Sequence, residues 1–328
     1  MLKKIKVLVT GGAGYIGSCT SNILLDKGYD VTIIDDLSVG KKKLLPKKAN
    51  FQKFSIQNKK KLSNLLSKNK FDIIFHFAAF ISVEESVNHP KRYLKNNFDN
   101  TKKFLEVCKK YNLKNIIFSS TAAVYGDVKS KNANENFKRK TLNPYAYSKL
   151  KVEDYLIKNK FFNYIILRYF NVVGADLKLR SGPWSKKKST HLIKNICEKY
   201  LRKKPIHIFG NNYPSKDGTA IRDYIHVADL ADVHILATKY ILKKKQKNIF
   251  NCGYGRGYTV KEVVDNFNDF NKIKLTYEYK KRRAGDSFKS VANVNKIKKI
   301  LRWKPKLNSI KKILRSQLAW EKKINDKK

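Results

Sequence analysis

The chain has 328 residues, 42% of them hydrophobic, enough for one large α/β unit or two domains around a substantial core, so disorder is not expected. Lysine and arginine number 72 against 26 acidic residues, a formal net charge of +46. The excess runs from Lys3 to Lys328, mostly as lysine beside asparagine and isoleucine, whereas a nucleic-acid module gathers arginine and aromatics in one segment. The charge therefore reads as a solvated surface that helps attract a phosphorylated substrate, with no specific nucleic-acid partner.

The elements follow in chain order. A strand at Lys6 to Thr10 leads through TGGAGYIGSCT into a helix at Tyr15 to Lys27. Strands at Asp30 to Asp35 and Asn50 to Phe54, a helix at Lys59 to Asn69 and a strand at Asp72 to Phe77 come next. A long helix at Pro90 to Tyr111, a strand at Asn115 to Ser119, a helix at Tyr145 to Lys160 and a strand at Tyr164 to Tyr169 complete the series. Most strands are continuous apolar runs, as in parallel sheets buried on both faces, and strict alternation with helices implies a doubly wound α/β domain. After Asn171 the pattern turns irregular, with turn clusters at Gly182-Pro183, Asn211 to Gly218 and Gly253 to Gly257. A smaller substrate domain is expected there, giving a division into residues 1–170 and 171–328 with room for the chain to cross back. Cys19, Cys108, Cys197 and Cys252 lie far apart with no CxxC and no zinc-ligand spacing, so reduced, packed thiols and no metal are expected. There is no apolar signal core at the N-terminus, and no run approaches about 18 uninterrupted apolar residues. A cytoplasmic protein without a membrane partner is the expectation.

Gly11, Gly14 and Gly17 stand between the first strand and first helix, the context a dinucleotide fingerprint requires. Gly11 permits the tight turn, Gly14 lets the backbone approach a pyrophosphate, and Gly17 lets helix and strand pack closely. Asp35 ends the second strand about 20 residues on, where a carboxylate accepts bonds from ribose hydroxyls and repels a 2′-phosphate, favouring NAD over NADP. In NPYAYSKLKVEDYL, Tyr145 and Lys149 are four apart on one helix face. An ammonium one turn from a phenol stabilises its anion, and a positive nicotinamide ring lowers the phenol further, so Tyr145 is a candidate general base. FSSTAAVYG places Thr121 after a buried strand, where its hydroxyl can bond the same substrate oxygen.

With these pieces placed, the sequence resembles the extended short-chain dehydrogenase/reductase family, and within it the UDP-hexose 4-epimerases. The resemblance runs through VTGGAGYIGS, IIDDLSVG, HFAAFISVEESVNHP, FSSTAAVYGD, NPYAYSKL, LRYFNVVGA, THLIK, the IFG…DGT.IRDYIHV.DLA stretch and RRAGD. It implies a Rossmann-type sheet with a smaller C-terminal α/β substrate domain, NAD as a permanently held cofactor, and inversion at C4′ of a UDP-hexose through a transient 4-keto sugar. Carried over, Gly11, Gly14, Tyr15, Ile16 and Gly17 cradle the pyrophosphate, Asp35 and Asp36 hold the adenosine ribose, and Phe77, Ala78 and Ala79 line the cofactor groove. Asn96 orients the phosphate-ribose region, and Thr121, Tyr145 and Lys149 form the catalytic set. On the substrate side, Asn171 and Arg222 contact the diphosphate, His191 and Leu192 the uridine pocket, and Arg283 and Asp286 the diphosphate and uridine ribose; Arg222 and Asp223 also read as a plain ion pair. Ser290, small where narrow-specificity relatives carry a tyrosine, predicts acceptance of UDP-GlcNAc as well as UDP-glucose.

The chain departs from the pattern at Ile81, where many relatives have a cofactor-reaching lysine, at Ser55 in place of an aspartate near the adenine, and at Cys19 in place of a histidine. A 4,6-dehydratase needs an acid/base pair after the threonine, where Ala122-Ala123 stand. An epimerase or decarboxylase of UDP-glucuronate, or a non-catalytic NAD- or RNA-binding protein on this scaffold, remain the alternatives. Relatives dimerise through the two helices at Pro90 to Tyr111 and Tyr145 to Lys160, so a homodimer is expected, although an apolar stripe such as Phe98, Leu105, Val152 and Leu156 also fits packing against the chain's own sheet.

Overall fold

The computed structural model describes residues 4–128, 132–184, 191–283 and 286–326. Thr190 of THLIK and Ala284 and Gly285 of RRAGD lie outside the described residues. The first half runs β1 (Lys6–Thr10), α1 (Tyr15–Asp26), β2 (Asp30–Asp35), β3 (Asn50–Lys53), α2 (Lys59–Lys68), β4 (Ile73–His76), α3 (Val83–Asn88), α4 (Pro90–Leu94), α5 (Asn100–Lys110), β5 (Asn115–Thr121), α6 (Pro144–Lys158) and β6 (Asn163–Tyr169). The second contributes β7 (Asn171–Val173), α7 (Leu192–Leu201), β8 (Ile206–Phe209), β9 (Ile221–His226), α8 (Val227–Lys244) and β10 (Asn248–Cys252). After these come β11 (Gly257–Thr259), α9 (Val260–Asn271), β12 (Tyr277–Lys280), β13 (Lys289–Ser290), α10 (Asn295–Leu301) and α11 (Ile310–Asn325).

Seven parallel strands in the order β10-β6-β5-β4-β1-β2-β3 form the main sheet. Alternate residues of β1 serve opposite faces: Val7 and Val9 pack with Leu24 of α1 and Leu230 and Val233 of α8, while Leu8 packs with Leu62 of α2, Leu105 of α5 and Val152 of α6. That two-sided demand is why the strands read as unbroken apolar runs. The order reverses between β1 and β4, and in such sheets the crevice at the strands' carboxyl ends binds the ligand.

The chain returns to this sheet after leaving it. Strand β10 pairs with β6, Asn248 beside Ile165 through Cys252 beside Tyr169, and α8 covers the face that α1 also covers. The smaller lobe is built on β9, flanked by β7, β11 and β13, with β8 and β12 as a separate parallel pair. The segment after Asn171 is far more regular than its sequence suggests, since α7 to α11 and seven short strands, β7 to β13, lie within it.

Two further differences have local causes. The helix expected over Pro90 to Tyr111 contains a π-helical turn at Lys95–Asp99, a widening that often marks a functional position. Asn97 in that turn bonds both backbone groups of Phe80, at 2.8 and 3.0 Å, and donates to Ser148 Oγ at 2.9 Å. The turn thus ties the loop after β4 to α6. Leu105, Val152 and Leu156 are wholly enclosed beneath the chain's own sheet, with Phe98 packed against them.

Candidate active site

Beyond β1 the chain must turn sharply under α1. Gly11 takes φ +74°, and a Cβ there would lie 2.6 Å from the Ala78 nitrogen, so β1 and the Phe77-Ala78-Ala79 turn meet backbone to backbone. At Gly17 a Cβ would lie 2.3 Å from the Gly11 carbonyl oxygen. Gly14 begins α1 without a side-chain cap, so the first-turn amides of the helix are left for an anion. Asp35, nearly enclosed, accepts from the amides of Ala13 at 3.0 Å and Leu37 at 2.8 Å, tying the end of β2 to the glycine loop; burial pushes its pKa up. Exposed Asp36 accepts from the Ser38 amide at 2.9 Å and hydroxyl at 2.6 Å.

These residues line one cavity of about 490 Å³ together with Tyr15, Ile16, Phe77, Asn96, Thr121, Tyr145, Lys149, Asn171, His191, Arg222, Asp286 and Ser290. Two expected site residues are not on its wall. Leu192 packs into the core of the smaller lobe, and the Arg283 guanidinium lies over the Phe209 ring, 3.9 Å from its centroid. Burial, followed by the charges of Lys194 and Arg283, lowers the pKa of His191.

Asn143 caps α6, its side chain accepting from the Ala146 amide at 2.9 Å, and Pro144 opens the first turn. Tyr145 and Lys149 thus project towards the end of β5. Enclosure pushes the Tyr145 phenol up to about 12, and its hydrogen bond with Thr121 only partly offsets this. The Lys149 ammonium donates to the Ser119 carbonyl at 2.7 Å and lies 3.4 Å from the Ser119 hydroxyl. Burial brings its pKa down to about 7 against a partial rise from Glu153. The expected lowering of the phenol by its neighbouring lysine is not found, because desolvation dominates and the ammonium is engaged by Ser119.

Behind Lys149 lies a buried polar network. Arg168 Nε and Nη2 donate to the Glu153 carboxylate at 3.0 and 2.6 Å, and the Ser120 hydroxyl donates to the same carboxylate. Arg168 Nη1 donates to the Tyr125 hydroxyl at 2.8 Å, which donates to Asn251 Oδ1 at 2.7 Å. The sequence signal was present and unread: one arginine inside the apolar run YIILRYF, and a glutamate four residues after Lys149.

Across the cavity, β9 places its neighbours in register, Ser290 beside Arg222 and Asn171 beside Tyr224. Arg222 donates to the carbonyls of Ile221, Ser287 and Phe288 at 2.9, 2.8 and 3.2 Å, and lies 3.4 Å from Asp286. Asp223 is not its ionic partner. That carboxylate accepts the amides of Tyr254, Gly255 and Ala292 at 2.8, 2.9 and 3.1 Å, and burial pushes it up to about 6. Of the positions where the chain departs from its expected pattern, Ser55 and the exposed Ile81 line the cavity, and buried Cys19 accepts the Ser181 hydroxyl at 3.0 Å. All four cysteines are free and buried, and no cluster able to hold a metal ion is found among the described residues. None of the helices among them is long and apolar enough to cross a membrane.

The family described as "NAD dependent epimerase/dehydratase family" matches residues 7–253. A UDP-glucose 4-epimerase of Azospirillum brasilense is 40% identical over 97% of this chain and 92% of its own length. Among solved structures, UDP-glucose 4-epimerase from Bifidobacterium longum in complex with NAD+ and UDP is 34% identical with a TM-score of 0.91, covering 98% of this chain and 99% of that one. A UDP-Glc/GlcNAc 4-epimerase from Campylobacter jejuni is 37% identical with a TM-score of 0.83, covering 97% and 99%. Match and likeness extend across the glycine loop, the Tyr145–Lys149 helix and the β9 strand alike, and the chain belongs to the NAD dependent epimerase/dehydratase family.

Proposed function

We propose that this protein is a UDP-hexose 4-epimerase interconverting UDP-glucose and UDP-galactose. The observation that carries the reading is the single cavity in which Thr121, Tyr145 and Lys149 face both an uncapped glycine-loop helix and the Arg222–Ser290 wall of the smaller lobe. The relatives' names and the bound NAD+ and UDP of the Bifidobacterium longum protein support the same assignment.

NAD fits the residues present: Gly11 and Gly17 admit no side chain, Tyr15, Ile16 and Gly17 in the first turn of α1 offer amides to a pyrophosphate while the Gly14 amide donates to the Gly11 carbonyl, and Asp35 and Asp36 offer acceptors to ribose hydroxyls. Phe77, Ala78, Ala79 and Asn96 form the groove beyond it. When bound, NAD supplies the hydrogen acceptor and donor for C4′ and, in its oxidised form, a positive charge that favours the phenolate. Tyr145 would take the proton of the 4′-hydroxyl and return it to the same oxygen once the 4-keto sugar has turned and C4′ takes hydrogen back on its opposite face. Thr121 bonds the same oxygen and holds it at the phenol. Lys149, braced by Ser119, keeps a cation beneath the phenolate as it forms. Asn171, Arg222, His191 and Asp286, which line the cavity, grip the UDP while the 4-keto sugar turns, a task suited to charge-assisted contacts. Ala122 and Ala123 line the cavity beside Thr121, and neither can transfer the proton that dehydration needs.

Ser290 on the cavity wall leaves room for a 2-acetamido group, so purified protein is expected to convert UDP-GlcNAc alongside UDP-glucose. Ser290→Tyr should depress UDP-GlcNAc turnover by at least about ten-fold relative to UDP-glucose, the scale of a steric misfit of one group. A wild type that converts UDP-glucose and leaves UDP-GlcNAc untouched at saturation contradicts this. The homodimer is part of the proposal: Tyr147 and Ile157 are exposed on α6, and light scattering in solution tests it. So is a cytoplasmic protein without a specific nucleic-acid partner; RNA binding that survives physiological salt would oppose it.

The lowered pKa of Lys149 has a pH signature. Its folded value is about 7 against 10.5 for a free lysine, so the folded state binds fewer protons than the unfolded one between those values. The cost of burying the charge is complete below pH 7 and is relieved as pH rises to 10.5. Lys149→Met is expected to stabilise the protein at pH 7 by on the order of 2–4 kcal/mol while abolishing turnover, an advantage that shrinks towards pH 10. Thermal unfolding of both proteins across this range measures it, and equal stability at pH 7 contradicts it.

A further inference from the structure

Three consecutive residues at the end of β5 each hold one residue of α6, and the three held residues are spaced by four. Thr121 bonds the Tyr145 phenol, the Ser119 carbonyl accepts from Lys149 at 2.7 Å, and the Ser120 hydroxyl donates to the Glu153 carboxylate. Residues four apart lie on one helix face a turn apart, so Tyr145 and Glu153 are about 12 Å from each other along the axis. The first two contacts belong to the catalytic set. The third has no part in the proposed chemistry.

Ser120 stands where an apolar side chain would be expected. Ile116 and Phe118, four and two residues before it, pack with Val152 and Leu156 of α6, and alternate residues of a strand share a face. Ser120 is the next position on that face and is buried. A hydroxyl in such a row is costly unless it is paired, and its partner is Glu153. The sheet fixes that carboxylate in turn: Arg168, beside Ser120 in the β5 and β6 register, donates to both of its oxygens at 3.0 and 2.6 Å. Arg168 also donates to the Tyr125 hydroxyl at 2.8 Å and to the Glu135 carbonyl at 3.2 Å.

The spacing gives this tie a purpose. Thr121, Ser119 and, on the other flank, Asn97 through Ser148 hold only the first two turns of α6. A contact one turn further on fixes the direction of the helix axis, and a tilt at Glu153 would move the Tyr145 oxygen relative to Thr121 and the substrate hydroxyl. Reacting groups tolerate little of this, since about 1 Å of misplacement can cost about 10²-fold in rate. We propose that Ser120 is a positioning residue for the reaction, setting through Glu153 the register at which α6 presents Tyr145 and Lys149 to the cavity. The inference rests on the reading of that pair as the catalytic groups.

Ser120→Ala fits the same space and leaves Glu153 its paired Arg168, so the fold is expected to stand. Well below its unfolding temperature, kcat for UDP-galactose is expected to fall about 10- to 100-fold with KM and bound NAD unchanged. Made in Tyr145→Phe, the same substitution should cost nothing further, because the group it positions is gone. A Ser120→Ala protein with kcat within about two-fold of wild type overturns the inference and leaves the hydroxyl a packing feature. So does an equal further loss in the Tyr145→Phe background. Should Ser120→Ala fail to fold, Glu153→Asp, which keeps the charge and draws it one methylene back from Ser120, decides by the same kcat and KM readings. A wild type that interconverts no UDP-hexose defeats the proposed function itself, a separate outcome.

Discussion

Tyr145→Phe is expected to lower kcat for UDP-galactose by about 10³-fold, within the range that positioned acid–base groups contribute, with KM little altered. The reason is geometric. The ring remains enclosed at the start of α6, and Thr121 keeps its bond from the Ala123 amide at 3.2 Å, so substrate still finds its pocket. Only the proton carrier is removed. A loss confined to kcat marks an interaction made in the transition state, whereas a rise in KM alone marks uniform binding. Steady-state kinetics in a coupled assay separates these, and a variant retaining a tenth of wild-type kcat would remove Tyr145 from the mechanism. Because enclosure holds the phenol near 12, it becomes a base only with further cationic charge beside it, which ties proton removal to the cofactor-bound enzyme.

The second large effect falls on stability. Glu153 and Arg168 are both fully enclosed, their side chains 0% and 1% exposed, so deleting either leaves a buried charge without its main partner, Glu153 keeping only Arg139 at 3.7 Å as a cation. Glu153→Ala and Arg168→Ala are each expected to cost about 3–5 kcal/mol in urea unfolding. Glu153→Gln and Arg168→Met combined, which leave no buried charge, should cost less than the sum of those two substitutions made singly, with a coupling of about 2 kcal/mol or more. Additive single losses, or losses below about 1 kcal/mol, would mean that water or another group neutralises the survivor. Since Ser120 donates to that carboxylate and its charge raises the Lys149 pKa, the same variants should also disturb turnover.

How much of this was legible depends on range along the chain. The glycine loop and Asp35 were legible from spacing together with the strand and helix around them, and the Tyr145–Lys149 pair, a common chance match by itself, from its place after the buried strand that ends at Thr121. The strands of the first half were legible because burial on both faces forces continuous apolar runs. Strand β10 was not: Asn248 and Asn251 break its five residues, and its partner β6 lies some eighty residues earlier. Helix α8 hid for a related reason. It buries Asp229, His234 and Thr238, which pair with Tyr254, Tyr169 and the His234 carbonyl and erase the amphipathic period. The Glu153–Arg168 network likewise depends on contacts that no local pattern encodes.

The central claim is that hydrogen leaves C4′ and returns to the same carbon without meeting solvent, while Tyr145 handles the proton. Purified protein supplied with UDP-galactose deuterated at C4′, and no added cofactor, tests it directly by mass spectrometry of the UDP-glucose formed. The account predicts conversion with the deuterium retained; product that has lost its label to water, or no product even when NAD⁺ is supplied, would contradict it.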